Sequence, residues 1–399
     1  MSQKNQKFEL KAVSLIAVLL FAFQTQTWAN DIWLTYKGSM ERTGELQKAA
    51  AATPLKVVWS YKVEDKSNGF VDWGPVAANG KIYTPDGLNN ILVLDANDGK
   101  LIWKKKLVSN VFTVSLSADA KILYVTTAIT TKASPTLFAL DSESGDVLWD
   151  NMINDQPAIG GLEGAPVIDA KNIYIAYLQY EGHGGMAAYE AKTGKLMWHN
   201  PIKRFSPYSP IAYGSGRLYV GFENKSIYCF DAANGGVLWQ TVQLSDLPYS
   251  SPVVIKDKVY AGAGKVMYAF DAAKGSILWQ KDMDVELSHT SPAYHDGILY
   301  GAGRDGKFFA IQAAAGSLLW LQELKLGPIE SSPLIDLKSK SIYIASQDNR
   351  VAVLDLKNGT VKSEIKLSED PRGVWKGTPA FYKGRLYVGS LDRNFYALE

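Results

Sequence analysis

Short apolar runs alternate with turn residues along almost the whole chain, and they recur in a fixed order. Each cycle opens on a small residue and proline: Gly74-Pro75, Ala165-Pro166, Ser209-Pro210, Ser251-Pro252, Ser291-Pro292, Ser332-Pro333 and Thr378-Pro379, with Thr113-Val114 in that place in the second cycle. A second strand follows that is expected to end in a tyrosine-rich pair, such as Leu218-Tyr219-Val220 or Leu386-Tyr387-Val388. A further run ends in an acidic residue, with glycine four positions on and tryptophan four beyond that. The copies are Asp95, Gly99, Trp103; Asp141, Gly145, Trp149; Glu190, Gly194, Trp198; Asp231, Gly235, Trp239; and Asp271, Gly275, Trp279. Gln312, Gly316 and Trp320 form a sixth, and Asp355 and Gly359 a seventh in which Ser363 stands where tryptophan is expected. Apolar runs this short, bounded by Gly, Pro and Asp, are strands. Four are predicted per cycle. Proline is tolerated at the start of the first. The turn between the third and fourth takes its positive φ from glycine and a side-chain acceptor from the acid.

Four strands every 40 to 45 residues is the period of a β-propeller blade. Seven cycles are complete, and an eighth opens at Trp375 and ends at Glu399 after its third strand. The missing fourth strand is available as Leu55–Tyr61, which carries Trp59. The expected fold class is therefore all-β, an eight-bladed β-propeller of four-stranded antiparallel blades closed by the N-terminal strand. It occupies residues 54–399 as one domain. Closure also removes an exposed sheet edge. Trp59, Trp103, Trp149, Trp198, Trp239, Trp279 and Trp320 are expected to plug the seams between blades, each N–H finding one partner.

Ahead of the propeller, residues 1–29 read as a secretory signal. Lys4, Lys7 and Lys11 precede the uncharged run from Ala12 to Phe23, and Thr27-Trp28-Ala29 forms a cleavage site. Residues 30–53 are a lead-in. The apolar run is too short to span a bilayer, and no cysteine follows it to carry a lipid. A secreted or periplasmic location is expected, with no integral membrane segment after cleavage. Removing three lysines and one glutamate from 42 basic and 40 acidic residues leaves no net charge, so nucleic acid is not an expected partner. The single cysteine, Cys229, lies in an apolar run and is expected to be buried.

The Asp-x-x-x-Gly-x-x-x-Trp repeats, the blade count and the opening Asp31-Ile32-Trp33-Leu34-Thr35-Tyr36 with Arg42-Thr43-Gly44 resemble the PQQ-like propeller repeat family. That family contains quinoprotein dehydrogenases as well as BamB-like exported scaffolds that are not enzymes. The resemblance thus implies the fold and leaves two classes of function. Many of the dehydrogenases hold their quinone under adjacent cysteines beside a calcium ion, a pair that one cysteine cannot form. Neither PQQ nor calcium is expected as a cofactor, and no metal site is expected.

In a propeller the loops between blades share a face with the loops between second and third strands. The residues three before each blade's proline should ring the mouth of the channel: Asp72, Val111, Glu163, Pro207, Tyr249, His289, Glu330 and Lys376, with Trp73, Tyr208 and Trp375 beside them. They vary where the scaffold repeats, and most are polar or aromatic, which marks a candidate binding ring. Extra residues in blades 2 and 3, at 126–136 and 178–185, should decorate the same face as loops, the latter bearing Tyr180, Glu181 and His183. His199 and His295 are expected on the ordinary surface. No zinc-protease spacing, phosphate loop, nucleophile elbow or Cys–His pair is present. The leading expectation is a non-catalytic, monomeric scaffold binding a protein partner in the cell envelope or extracellular space. A carbohydrate or other small molecule at the channel mouth is the alternative, and a PQQ-dependent dehydrogenase ranks below both.

Overall fold

The computed structural model describes residues 32–46, 54–63, 74–127, 136–152, 159–179, 183–287, 289–370, 373–374 and 377–399. Its strands fall into eight sheets of four antiparallel strands, one of them joined by a fifth, parallel strand; we number them blades 1 to 8: residues 76–106, 111–152, 159–202, 212–240, 253–282, 293–323, 334–366, and 380–398 with Val57–Lys62. Each blade runs from an inner strand at the axis to an outer strand at the periphery. The third strands are almost wholly buried, as in Ser226–Asp231, because neighbouring blades cover both of their faces. The outer strands alternate between exposed and half-buried, as in Leu101–Lys106, because one face meets solvent. The second-strand tyrosines, expected at the strand ends, stand instead mid-strand, with Tyr219 inside Arg217–Phe222.

Closure follows the sequence expectation. Val57–Lys62 pairs antiparallel with Asn394–Leu398, Val57 opposite Leu398 and Trp59 opposite Ala397. The turn chemistry does too. Asp95, Asp141, Asp231, Asp271 and Asp355 each accept a backbone N–H from two residues on. Each turn glycine has φ between 67° and 75° and sends its N–H back to the residue that opens the turn.

The glycine has a second task. In all seven turns a Cβ on it would come within 3.1 Å of the tryptophan of the preceding blade: Trp59 over Gly99, Trp103 over Gly145, and so on to Trp320 over Gly359. Each ring also packs against the second-strand tyrosine of its own blade, at centroid distances of 5.8 to 6.5 Å. Trp59, Trp198, Trp239 and Trp279 donate Nε1–H to a carbonyl of the next blade. Trp103 and Trp149 depart from the expectation of one partner each, their buried Nε1 having none among the described residues. In those seams the tyrosine hydroxyl bonds the neighbouring carbonyl, Tyr83 to Ser142 and Tyr124 to Ala191. Ser363 now has a reason. Blade 7 faces blade 8, whose third and outer strands are joined by no turn and so present no glycine for a ring to cover.

In blades 5 to 8 the serine or threonine before the proline ties the inner strands together. Ser251 N–H donates to Ser291 Oγ at 2.8 Å, Ser291 N–H to Ser332 Oγ at 3.0 Å, and Ser332 N–H to Thr378 Oγ1 at 3.2 Å.

One expectation about loops is corrected. Leu178 belongs to the strand Asn172–Gln179, and His183 opens the strand His183–Glu190, paired with Gln179. The extra residues of blade 3 mainly lengthen its second and third strands. Gly184 and Gly185 make the extension feasible, since a Cβ at Gly185 would collide with the Tyr177 ring and the Asn200 carbonyl.

Candidate binding face at the channel mouth

The lead-in segment is built into the ring. Its residues 32–37 alternate between half-buried and buried, which places Trp33, Thr35 and Lys37 inward. It contacts the inner strands in turn. Trp33 bridges Ala77 of blade 1, and Leu34 accepts from Leu116 N–H of blade 2. Met40, Glu41, Thr43 and Gly44 accept backbone N–H bonds from Tyr213, Val254, Tyr294 and Ile335 of blades 4 to 7. Glu45–Leu46 then adds a parallel strand to blade 7.

Three side chains of this segment lie level with the prolines of the inner strands. Tyr36 Oη bonds Ser332 Oγ at 2.8 Å and Ser291 Oγ at 3.3 Å. Lys37 is buried, and its Nζ donates to the carbonyls of Ser291, at 3.3 Å, and of Pro292. Arg42 is fully buried and donates to the carbonyls of Ile211, Tyr36, Ser39 and Ala165 and to Thr35 Oγ1. Its guanidinium lies 5.5 Å from the Tyr36 ring centroid. Burial holds the Lys37 ammonium well below its ordinary pKa, and the Arg42 charge adds to the effect. Arg42 is lowered to about 10 by burial, against a raising pull from Tyr36 and Glu41. The alternation of Ile32 to Lys37, with lysine at an inward position, was the signal for this arrangement. The sequence did not show that its inward side meets the channel axis.

Above that level lies the predicted ring. The inter-blade loops bond the second-to-third-strand loops, as in Leu287 N–H to Gly264 O and Gln347 N–H to Pro328 O, so the two sets share a face as expected. On blades 4, 5 and 6 the predicted residues touch. Tyr208 and Tyr249 meet edge to face at 5.4 Å, and Tyr249 and His289 stack at 4.8 Å and 9°. Tyr208 is 37% exposed, and Tyr249 and His289 are half-buried. His289 holds φ at 69°, a costly conformation for a residue with a Cβ. Thr290 and Ser331 pin their loops by donating to the second-strand carbonyls of Ala302 and Ala345.

Glu330 differs from its expected role as an open rim carboxylate. It is 2% exposed, and Arg304 Nε, on a half-exposed side chain from the Gly303–Gly306 turn, donates to it at 2.7 Å. A buried carboxylate is retained where a cation compensates it. Pro207 and Val111 are buried. Glu163 pairs with Ala176 within Ile159–Ile168, and of its side chain, as of that of His183, nothing is described. Asp72, Trp73, Trp375, Lys376, Tyr180 and Glu181 lie outside the described residues.

Of the two histidines expected on the surface, His199 is exposed there, its ring stacked at 5.1 Å on Tyr177 with Nε2 in contact with the phenol oxygen, and desolvation by that contact lowers its pKa. His295 Nδ1 meets Glu45 Oε2 of the lead-in at 3.3 Å. Cys229 is buried as expected, and burial pushes its thiol up to about 12, so it offers no thiolate at neutral pH. Among the described residues no group of three His, Cys, Asp or Glu is placed to hold a metal ion. A quinone held under adjacent cysteines does not fit a chain whose one cysteine lies inside a blade.

The fold and its seams define an eight-bladed propeller of PQQ-like repeats. The family model described as outer membrane protein assembly factor BamB matches residues 43–261, 182–334 and 262–399, and the chain belongs to that family. A BamB of Moranella endobia is 23% identical over 284 residues, 65% of this chain and 71% of that protein. A quinohemoprotein alcohol dehydrogenase ADH IIB of Pseudomonas putida is 27% identical over 55% of this chain and 33% of its own length. An uncharacterised Rickettsia prowazekii protein is 25% identical over 46% of each chain, so the match spans about half the length of some curated relatives. Among solved structures, BamB of Moraxella catarrhalis superposes with a TM-score of 0.66 at 16% identity, covering 86% of this chain and 97% of that one. The quinohemoprotein alcohol dehydrogenase of Comamonas testosteroni gives 0.76 at 15%, covering 94% and 81%. At such identities these likenesses concern the fold alone. No helix among the described residues is long and apolar enough to cross a membrane.

Proposed function

We propose that this chain is an exported, non-catalytic scaffold that captures a protein partner on its mouth-side face. The observation that carries the reading is the row Tyr208–Tyr249–His289, three partly exposed rings in mutual contact on consecutive blades. Rigid aromatic side chains supply large contact area at low entropic cost and dominate binding hot spots. Membership of the BamB family supports a scaffold role. The test is chemical cross-linking of the mature chain in envelope extract, beside Tyr208→Ser/Tyr249→Ser. A protein captured by the parent and lost from the variant, with unchanged thermal melting, is the expected result. Equal capture by both rejects this face. Turnover of an alcohol in a dye-linked assay supplied with PQQ and calcium rejects the non-catalytic reading. The same rings could stack on a sugar, and calorimetry with envelope glycans separates that case from protein capture.

A further inference from the structure

Two cations lie at the axis just below the aromatic row, and neither has a carboxylate of a described residue within ion-pair distance. Lys37 and Arg42 are 1% and 0% exposed. Their bonds go to carbonyls and one hydroxyl. Glu41, the neighbour of Arg42 in sequence, acts on it only through its field. Carbonyls orient dipoles toward a cation and leave its net charge in place. Burying an ion without a counter-ion is costly: burial already holds Lys37 well below its ordinary pKa, and a carboxylate brought over this pair would favour its charged form and answer Arg42.

Position makes the preference for negative charge specific. Arg42 is anchored to Ile211 O of blade 4, three residues past the Tyr208 end of the row, and to Ala165 O of blade 3. Lys37 is anchored to Ser291 O and Pro292 O of blade 6, two and three residues past His289. The half-buried Tyr36 lies against Arg42, its ring centroid 5.5 Å from the guanidinium, and reaches with its hydroxyl to Ser291 and Ser332 of blades 6 and 7. The arc of blades 4 to 6 therefore has aromatic walls over a positive floor. Glu330, the described carboxylate at the same register on blade 7, is already tied to Arg304. Low-dielectric walls focus the field of buried charges into a recess.

We propose that the partner of this face enters the mouth with an acidic loop, whose carboxylates lie over Tyr36 and answer Lys37 and Arg42 while its backbone packs on the rings. This proposal rests on the scaffold reading above and names the chemistry of its partner. Glu163 stands in blade 3 two residues before Ala165, whose carbonyl holds Arg42, and any neutralisation of the floor by it is read directly by the experiment.

The probe is a labelled peptide of glycine, aspartate and glutamate, with a twin in which asparagine and glutamine replace the acids, titrated into the full mature chain by fluorescence anisotropy. The acidic peptide is expected to bind about tenfold or more tighter than its twin, with the preference shrinking at high salt. Lys37→Met should reduce that preference severalfold. His289→Asp sets a carboxylate above Lys37 at a φ that aspartate tolerates, leaves the lead-in intact, and should abolish the preference even if Lys37→Met does not fold. Equal binding of both peptides to the parent, or an unchanged preference in His289→Asp, overturns the proposal. If partner capture still depends on Tyr208 and Tyr249 in that case, the scaffold reading survives and only the acidic loop falls.

Discussion

The periphery and the axis of this ring solve the same packing problem in opposite ways. At the periphery every complete seam uses one device, a tryptophan of one blade laid on the turn glycine of the next. At the axis the inner strands meet one continuous segment, and each blade meets a different residue of it: Trp33, Leu34, Thr35, Met40, Glu41, Thr43 and Gly44 for blades 1 to 7. Repetition works where every blade has the same neighbour. It fails at the centre, where a single strand must pass all eight blades and so presents a different side chain to each. The uniform region sets the fold, and the non-uniform region gives the mouth its chemistry.

The largest expected effect attacks the peripheral device. Trp239→Ala removes a ring that is 9% exposed in the seam of blades 4 and 5 and should cost about 3–5 kcal/mol in urea denaturation. The axial counterpart is Arg42→Ala, which strips the donor from four carbonyls and one hydroxyl and should cost about 2–4 kcal/mol. A cost within the range of surface substitutions would show that the axis is a passive lining. Gly275→Ala forces a Cβ to φ 71° and into the Trp239 ring, for about 1–3 kcal/mol. In a Trp239→Ala background it should cost less, because the clash is gone and only the backbone strain remains. Ser363→Trp completes the repeat in sequence yet should gain less than about 0.5 kcal/mol, since blade 8 has no turn glycine to receive the ring. A gain equal to what Trp239→Ala loses would break the pairing argument.

At neutral pH the seam tyrosines contribute no titration effect. Burial raises Tyr83, Tyr124, Tyr260, Tyr300 and Tyr387 to about 12. Their folded values lie above the unfolded 10.0, so the stability they contribute is full below pH 10 and is lost as pH rises from 10 toward 12. Circular dichroism across that window should show unfolding that coincides with tyrosinate absorbance. The full tyrosinate absorbance of all 21 tyrosines appearing near pH 10 with the fold intact would show that the seams are open to solvent.

Much of the mouth was legible by register. Tyr208, Tyr249 and His289 were chosen because they break the repeat at one position, and they do meet in space. Register cannot report depth or pairing, which is why Glu330 looked available although Arg304 of the neighbouring blade covers it. His295 was misplaced for the same reason, its partner Glu45 lying 250 residues away. His183 was misplaced because the extra residues of blade 3 lengthen strands, and two glycines in His183–Glu190 hide that strand from a reading based on side chains.

By itself the sequence determined the blade count, the turn chemistry, the seam tryptophans and the closure by Trp59, because each is written in local spacing that repeats with the blade. Only the tertiary structure decided where the lead-in goes, which rim residues touch, and that Lys37 and Arg42 stand buried beneath them. Those facts depend on contacts between segments 26 to 296 residues apart that occur once each, and an arrangement that occurs once leaves no period in the chain.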